Sequence, residues 1–351
     1  DGMTSEVLNP GKFPAVGDLK AAIFRALKEP ISSESLNQLV KPGLKVAIMI
    51  NDNTRYVPQE IIVDEILKVL DASGVRKEDI TIIIATGTHR PNTDKEIEEM
   101  LGTGMPREFK VINHSAYDKA NLVEVGKTEG EAVPVVVNKA VAEADVKIGI
   151  GVIEPHLFAG YSGGVKVLAV GAAGIETIAA THNAKMLEHP KTRLGVVRGN
   201  LFREFLNETA KIVGMDFILN VVMDENEEVL GVFAGDPVKA HGEGVDFAKG
   251  IYEVKAARQA DVVISVPKYP KTINLYQAIR AANGVFFGEN PLVKKGGAVI
   301  IPARCWDGVG SKDLMEDLAE VDDPAELIQR AREKGFPPEG HKAFTVSRML
   351  Q

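Results

Sequence analysis

The sequence predicts an α/β fold: two α/β domains with largely parallel sheets and a cleft between them. Three observations carry the prediction. Short apolar runs of strand length alternate with stretches of helical apolar spacing along most of the 351 residues, the rhythm of strand–helix–strand units. Polar clusters follow directly on several of those runs, where open α/β sheets hold their ligands. The alternation breaks at a charged stretch, residues 253–258, and then restarts. A chain of this length is too long for one ordinary domain and about right for two. The boundary is placed between 256 and 257, giving an amino-terminal domain over 1–256 and a carboxy-terminal domain over 257–351.

Residues 44–50, Leu-Lys-Val-Ala-Ile-Met-Ile, form the first buried strand. Residues 58–72 carry Ile61, Ile62, Ile66, Leu67 and Leu70 at helical spacing, with Pro58 suited to a first turn and Gly74 past the end. Residues 79–85 are the second strand. Thr93 caps a charged helix, with Glu96 as its capping-box partner. Residues 109–113 and 146–152 are further strands, and 174–187 reads as one helix. Residues 217–223 and 228–234 flank Asp224-Glu225-Asn226-Glu227 and predict a β-hairpin, followed by a helix through Tyr252. The second domain runs strand 261–267, helix 274–282, strand 297–302, helix 314–318 and helix 324–334. Residues 341–351 read as the beginning of another element, so this domain is expected to be incomplete at its end. Asp1-Gly2-Met3 reads as a remnant before or within a native start.

Composition narrows the function. Hydrophobic residues make up 45% and charged residues 26%, which is globular rather than disordered. Lys and Arg number 41 against 49 Asp and Glu, a net charge of -8. A mildly acidic chain without a basic run is a poor nucleic-acid or anionic-membrane binder. The longest apolar runs fall far short of a membrane span. One cysteine, Cys305, excludes disulfide scaffolds and Cys-rich zinc or iron–sulfur sites. It fits a reducing cytoplasm.

Four clusters could carry chemistry. Asn51-Asp52-Asn53-Thr54-Arg55 and Ala85-Thr86-Gly87-Thr88-His89-Arg90-Pro91 each follow a buried strand, and Glu154-Pro155-His156 follows a third. Tyr276-Gln277-Ala278-Ile279-Arg280 lies on the first helix of the second domain. Each has a plainer reading: Asp and Asn after strands are common caps and turn formers, and Arg55 or Arg280 alone could be surface charges. Two histidines and an arginine at strand ends are together harder to dismiss. The segment from Pro155 to Lys166 contains Gly160, Ser162, Gly163 and Gly164. Its glycines permit a tight path with N–H groups turned toward an anion, a phosphate above all. Lys166 could neutralise that anion or act as a nucleophilic amine. The alternative is a glycine-rich connection with a solvated lysine. The spacing fits neither a Walker loop nor a dinucleotide fingerprint. His182, in Thr181-His182-Asn183, lacks nearby partners for a protein-only metal cage, though it could be one ligand to a metal carried by something else. His114, His189, His241 and His341 read as structural or exposed.

These segments resemble the nickel-pincer-nucleotide-dependent lactate racemases and their 2-hydroxyacid racemase and epimerase relatives. The resemblance spans essentially the whole chain, and the stretch from His156 to Lys166 followed by His182 is its most specific part. It implies a nicotinate-derived mononucleotide cofactor with two sulfur-containing substituents and a carbon-bound nickel, made by separate maturation proteins. By resemblance Lys166 attaches it covalently through a thioamide and His182 supplies the one protein ligand to nickel. Asp52, Ser162, Gly163 and Gly164 belong to the cofactor-side set, with Asp52 orienting the site. His89 and His156 form the acid/base pair, and Arg55, Tyr276, Gln277 and Arg280 hold a small 2-hydroxy acid. Two departures stand out: Arg280 replaces the lysine of the racemase prototype, and Ala169-Val170-Gly171 lacks a proline often seen there. The rival expectation from another class is a non-catalytic nucleotide- or phosphosugar-binding protein, which explains the glycine loop and Lys166 but not His89, His156 and His182 together. A metal-dependent hydrolase is disfavoured by the lack of a ligand cluster.

Overall fold

The computed structural model describes residues 4–269, 271–336 and 340–351; Asp1-Gly2-Met3 lies outside them. Numbered in chain order, the strands are β1 (Val46–Asn51), β2 (Ile80–Ala85), β3 (Lys110–Asn113), β4 (Leu122–Lys127), β5 (Pro134–Asn138), β6 (Val146–Val152), β7 (Pro155–His156), β8 (Gly160–Tyr161), β9 (Phe217–Met223), β10 (Val229–Gly235), β11 (Ala260–Ile264) and β12 (Val293–Ile300). The main sheet has six strands in the order β10-β9-β6-β1-β2-β3. β3, β2, β1, β6 and β9 run parallel, and β10 returns antiparallel at the edge as the expected hairpin. Small two-stranded sheets, β4-β5, β7-β8 and β11-β12, accompany it.

The apolar runs are continuous because both faces of the sheet are covered. Along β1, Val46, Ile48 and Ile50 join one core with Ile62 and Ile66 of the helix Gln59–Ala72. The alternate residues Ala47 and Met49 join the opposite core with Leu168, Phe202 and Leu206. Pro58 sits at the cap of its helix rather than inside the first turn. The capping box is formed: Thr93 Oγ1 accepts from the Glu96 N–H at 3.3 Å, and Glu96 Oε2 accepts from the Thr93 N–H at 2.8 Å.

The single helix expected over 174–187 is broken. A helix over Ile175–Thr181 ends at His182, and a second, Ala184–Glu188, begins after Asn183. Asn183 is the cause. Its Oδ1 accepts from the Met186 N–H at 2.9 Å and its Nδ2 donates to the Ala180 carbonyl at 2.7 Å. The side chain thus serves an open helix end on each side, and His182 is left at the corner. Among the elements unassigned from sequence are the helix Leu19–Lys28, the β4-β5 hairpin, and the helix Leu201–Val213, capped by Asn200 and stopped by Gly214 at φ 77°.

Beyond residue 257 the strands are shifted: β11 and β12 pair in parallel over 260–264 and 293–300 rather than 261–267 and 297–302. The helix expected over 274–282 is one α-turn, Leu275–Ala278, continued as a 3-10 turn, Ile279–Ala282. Helices Lys312–Ala319 and Pro324–Lys334 follow as expected. Residues 341–351, expected only to begin an element, form a helix, His341–Leu350. Leu314, Leu327, Ile328, Ala343 and Phe344 share the core of Ala47 and Met49. These helices therefore pack onto the main unit.

Candidate active site

The chain leaves β1 toward β2 and β3 on one side and later adds β6 on the other, so strand order reverses between β1 and β6. At such a point the loops leaving the carboxyl ends diverge and open a crevice. Asp52 and Arg55 follow β1, while Glu154 and His156 follow β6. Arg55 Nε lies 3.4 Å from Glu154 Oε1 and ties the two loops together. Burial opposes charge on Glu154, but the cations Arg55, Lys271, Arg280 and Lys166 outweigh it and hold the carboxyl below its usual range.

Asp52 is 6% exposed. Its Oδ1 accepts from the Thr54 N–H at 3.2 Å and the Thr54 hydroxyl at 2.6 Å, and its Oδ2 lies 2.6 Å from His89 Nδ1. Burial again opposes the charge, yet those bonds together with His89 and Arg55 hold the Asp52 carboxyl low. Asp52 is therefore an acceptor, and His89 must carry its proton on Nδ1. That leaves the lone pair of His89 Nε2 free.

His156 is held the other way. It sits in β7, paired with Gly160 of β8. Its Nδ1 accepts from the backbone N–H groups of Phe158 at 3.3 Å and Ala159 at 3.1 Å. Its proton therefore lies on Nε2. Burial, then the cations Lys166, Arg55, Arg280 and Arg203, push its protonation well below the ordinary range. The hydrogen-bond network assigns the two histidines opposite tautomers.

The glycine loop departs from the anion-cradle expectation. The Ser162 N–H donates to the Glu154 carbonyl at 2.8 Å, and the Gly164 N–H to Asn220 Oδ1 at 2.6 Å. The Ser162 hydroxyl donates to the Val152 carbonyl at 2.7 Å and accepts from the Glu154 N–H at 3.0 Å. These groups are already bound inside the protein. The glycines serve close approach instead: at Gly164, φ 59°, a Cβ would lie 2.8 Å from the His241 ring. Arg203, 2% exposed, donates to the carbonyls of Ala159, Tyr161 and Gly163 and clamps the loop from the helix Leu201–Val213. Sequence reading missed it; an arginine on the apolar face of Phe202, Leu206 and Ala210 was the available signal.

Lys166 does not lie in the loop but opens a one-turn helix, Lys166–Ala169. Burial and the cations Arg55 and Arg203 push its amine down to about 7. His182 Nδ1 lies 2.8 Å from Thr181 Oγ1 and 3.2 Å from the Ile178 carbonyl, while the Thr181 hydroxyl itself donates to that carbonyl at 2.7 Å. Nδ1 therefore carries the proton, and Nε2 keeps the lone pair a metal needs. Burial and His341 lower His182 to about 3. Its ring packs 6.1 Å from Phe158, 5.5 Å from Phe202 and 5.3 Å from His341. His341, read from sequence as structural or exposed, is thus brought to the site by the last helix. His114 and His241 are structural as expected, bonded to the carbonyls of Ala173 and Ser162.

Asn274 caps the turn carrying Tyr276 and Gln277, accepting from the Gln277 N–H at 2.9 Å. Arg280 Nη1 donates to Gln277 Oε1 at 3.2 Å, so the two share a face. Burial and Arg55 lower Arg280 to about 10. Two further cations went unnoticed in the sequence. Lys271 is lowered by burial, Arg280 and Arg55 although Glu154 favours its charge. Lys342, 5% exposed, holds its ammonium 5.1 Å over the Tyr276 ring and is lowered to about 7 by burial and Arg280.

Fold and site define a class: an α/β protein with an enzyme-type site at the switch point of a parallel sheet, furnished with two histidines, a near-neutral amine and a group of cations. Among the described residues no three His, Cys, Asp or Glu converge as a metal cage, and no helix is long and apolar enough to cross a membrane. Residues 1–195 match the family described as the lactate racemase N-terminal domain, and residues 254–337 match the lactate racemase C-terminal domain. A lactate racemase of Lactiplantibacillus plantarum is 35% identical over 310 residues, covering 88% of this chain and 72% of that protein. One of Thermoanaerobacterium thermosaccharolyticum is 34% identical over 336 residues, covering 93% and 76%. The structure of the lactate racemase apoprotein from Thermoanaerobacterium thermosaccharolyticum superposes with a TM-score of 0.85 at 31% identity, over 97% of this chain and 81% of that one. The chain belongs to the lactate racemase family, isomerases of 2-hydroxy acids.

Proposed function

We propose that the chain racemises or epimerises a 2-hydroxy acid by removal and return of hydride at the α-carbon, with a nickel-pincer nucleotide attached to Lys166. The observation that carries this reading is the pairing of Lys166, an amine near neutrality, with His182, whose Nε2 lone pair is free. The residues fit such a group. Asn220 Nδ2 is buried beside the loop without a hydrogen-bond partner. One histidine without a protein cage suits a nickel held mostly by the cofactor's own carbon and sulfur atoms. Asp52 and the segment of Ser162, Gly163 and Gly164 complete the surroundings. When bound, the cofactor supplies the hydride acceptor.

The chain's own residues do the rest. His89 Nε2 takes the substrate hydroxyl proton, with Asp52 steadying the imidazolium that forms. Arg55 and Arg280 hold the carboxylate, and Tyr276 and Gln277 frame it. In its second orientation the oxygen accepts a hydrogen bond from His156 Nε2–H, and the proton taken up by His89 is the one returned to it, so neither imidazole ends with a changed charge. Two histidines serve because the hydroxyl lies in different places in the two enantiomers. We also propose the boundary near 256/257, so that Tyr276, Gln277 and Arg280 reach the site from a second domain across a cleft. A purely nucleotide-binding module is disfavoured because it gives no role to His89, His156 and His182, each held in one orientation by its hydrogen bonds.

Intact mass after co-production with the maturation proteins tests this reading. An adduct on Lys166, together with racemisation of a 2-hydroxy acid, is expected. Unmodified protein, or an adduct on another lysine, would overturn it.

A further inference from the structure

We propose that Lys342 and Arg280 form a subsite for a second anionic group on the substrate, so that the acid turned over carries a second carboxylate. This rests on the reading above. The cations differ in their partners. Arg55 is matched by Glu154 at 3.4 Å. The hydrogen bond of Arg280 goes to the neutral amide of Gln277. Lys342 lies over the Tyr276 ring. Among the described residues no carboxylate is hydrogen-bonded to Lys342 or paired with it.

A buried ammonium beside a guanidinium without a counter-charge is costly, and the cost is relieved when an anion enters between them. A 2-hydroxy monocarboxylate brings one anion, which Arg55 and Arg280 can hold. It leaves Lys342 unanswered. A second carboxylate on the α-substituent answers Lys342 and Arg280, where the guanidinium fork and the ammonium together supply matched donors. Lys342 lies over the ring of Tyr276, on the turn that also carries Gln277 and Arg280, which sets it on the substrate side of the site.

The test compares kcat/KM for malate and lactate in loaded wild type, Lys342→Met and Lys342→Arg. Wild type should prefer malate. Lys342→Met should lower the malate-to-lactate ratio roughly 10–100-fold, the scale of one lost charge-assisted bond, and Lys342→Arg should keep most of it. Lys342→Gln serves if the Met variant does not fold. Lactate preferred by wild type, or an unchanged ratio in the charge-free variant, would overturn the subsite. Calorimetry on unloaded chain separates the remaining cases. Loss of inorganic phosphate binding in Lys342→Met with malate binding intact assigns the pair to a phosphate and overturns the proposal. If wild type racemises neither acid but Lys342→Met weakens malate binding, the racemase reading fails and the subsite stands. If neither effect is seen, both fail.

Discussion

Asp52 and the backbone of residues 158–159 hold two histidines in opposite proton states, and the consequence can be measured. In unloaded protein, nitrogen-15 NMR should find His89 protonated on Nδ1 and His156 on Nε2 at neutral pH; the same tautomer at both would contradict the hydrogen bonds that hold the two rings. Each histidine changed to alanine should cost roughly 10²–10⁴-fold in rate without blocking attachment at Lys166, and full activity in either variant would remove that histidine from the reaction. Lys166 makes a sharper residue-scale case. An amine lowered to about 7 is half neutral there, where ordinary lysines are almost fully protonated. Acylation of unloaded protein, followed by peptide mass spectrometry, should modify Lys166 with a pH midpoint near 7. A midpoint near 10 would show that its surroundings do not activate it. The residues at this scale were legible in sequence because two histidines and an arginine gather at several strand ends at once, with a glycine-rich segment leading to Lys166. Their tautomers were not, since the Asp52–His89 contact joins positions in different loops.

At the scale of elements, His182 owes its place to a break the hydrophobic pattern does not show. Apolar spacing over 174–187 is compatible with one helix, and only the Asn183 side chain, bonded to Ala180 and Met186, divides it. Asn183→Ala removes a cap, about 0.5–2 kcal/mol. It should lower the melting temperature by a few degrees and reduce nickel retention in loaded protein; retention equal to wild type would show that the corner does not set His182. The glycine loop is the second case. Glycine runs read equally well as anion cradles or as close packing, and the choice depends on what lies opposite. Here it is the His241 ring and the Asn220 side chain. Gly164→Ala places a Cβ at positive φ against that ring and should destabilise the fold by about 1–3 kcal/mol. A denaturant midpoint unchanged from wild type would speak against this packing.

Across the whole molecule, buried neutral histidines make stability depend on pH. His182 and His241 are both lowered to about 3 in the folded chain. Below about 6.5 the unfolded chain takes up protons that the folded one refuses, so stability falls as pH drops from 6.5 toward 3. Each histidine contributes a loss of about 1.4 kcal/mol per pH unit in that window. Glu96, lowered to about 2, adds to the loss only below its ordinary value of 4.5. Urea midpoints of unloaded protein should therefore be clearly lower at pH 5 than at pH 7; equal midpoints would mean these rings are solvated. The sequence by itself determined the parallel sheet, because strands covered on both faces must be apolar throughout. It also determined the candidate residues at the strand ends, because side chains that bind or move protons are conspicuous beside such runs. Only the tertiary structure decided that Arg203 clamps the loop and that the last helix brings His341 and Lys342 to the site. Those contacts join residues far apart in the chain. Burial and opposing charge, which turn an ordinary lysine or histidine into a reactive one, exist only after the distant elements have packed.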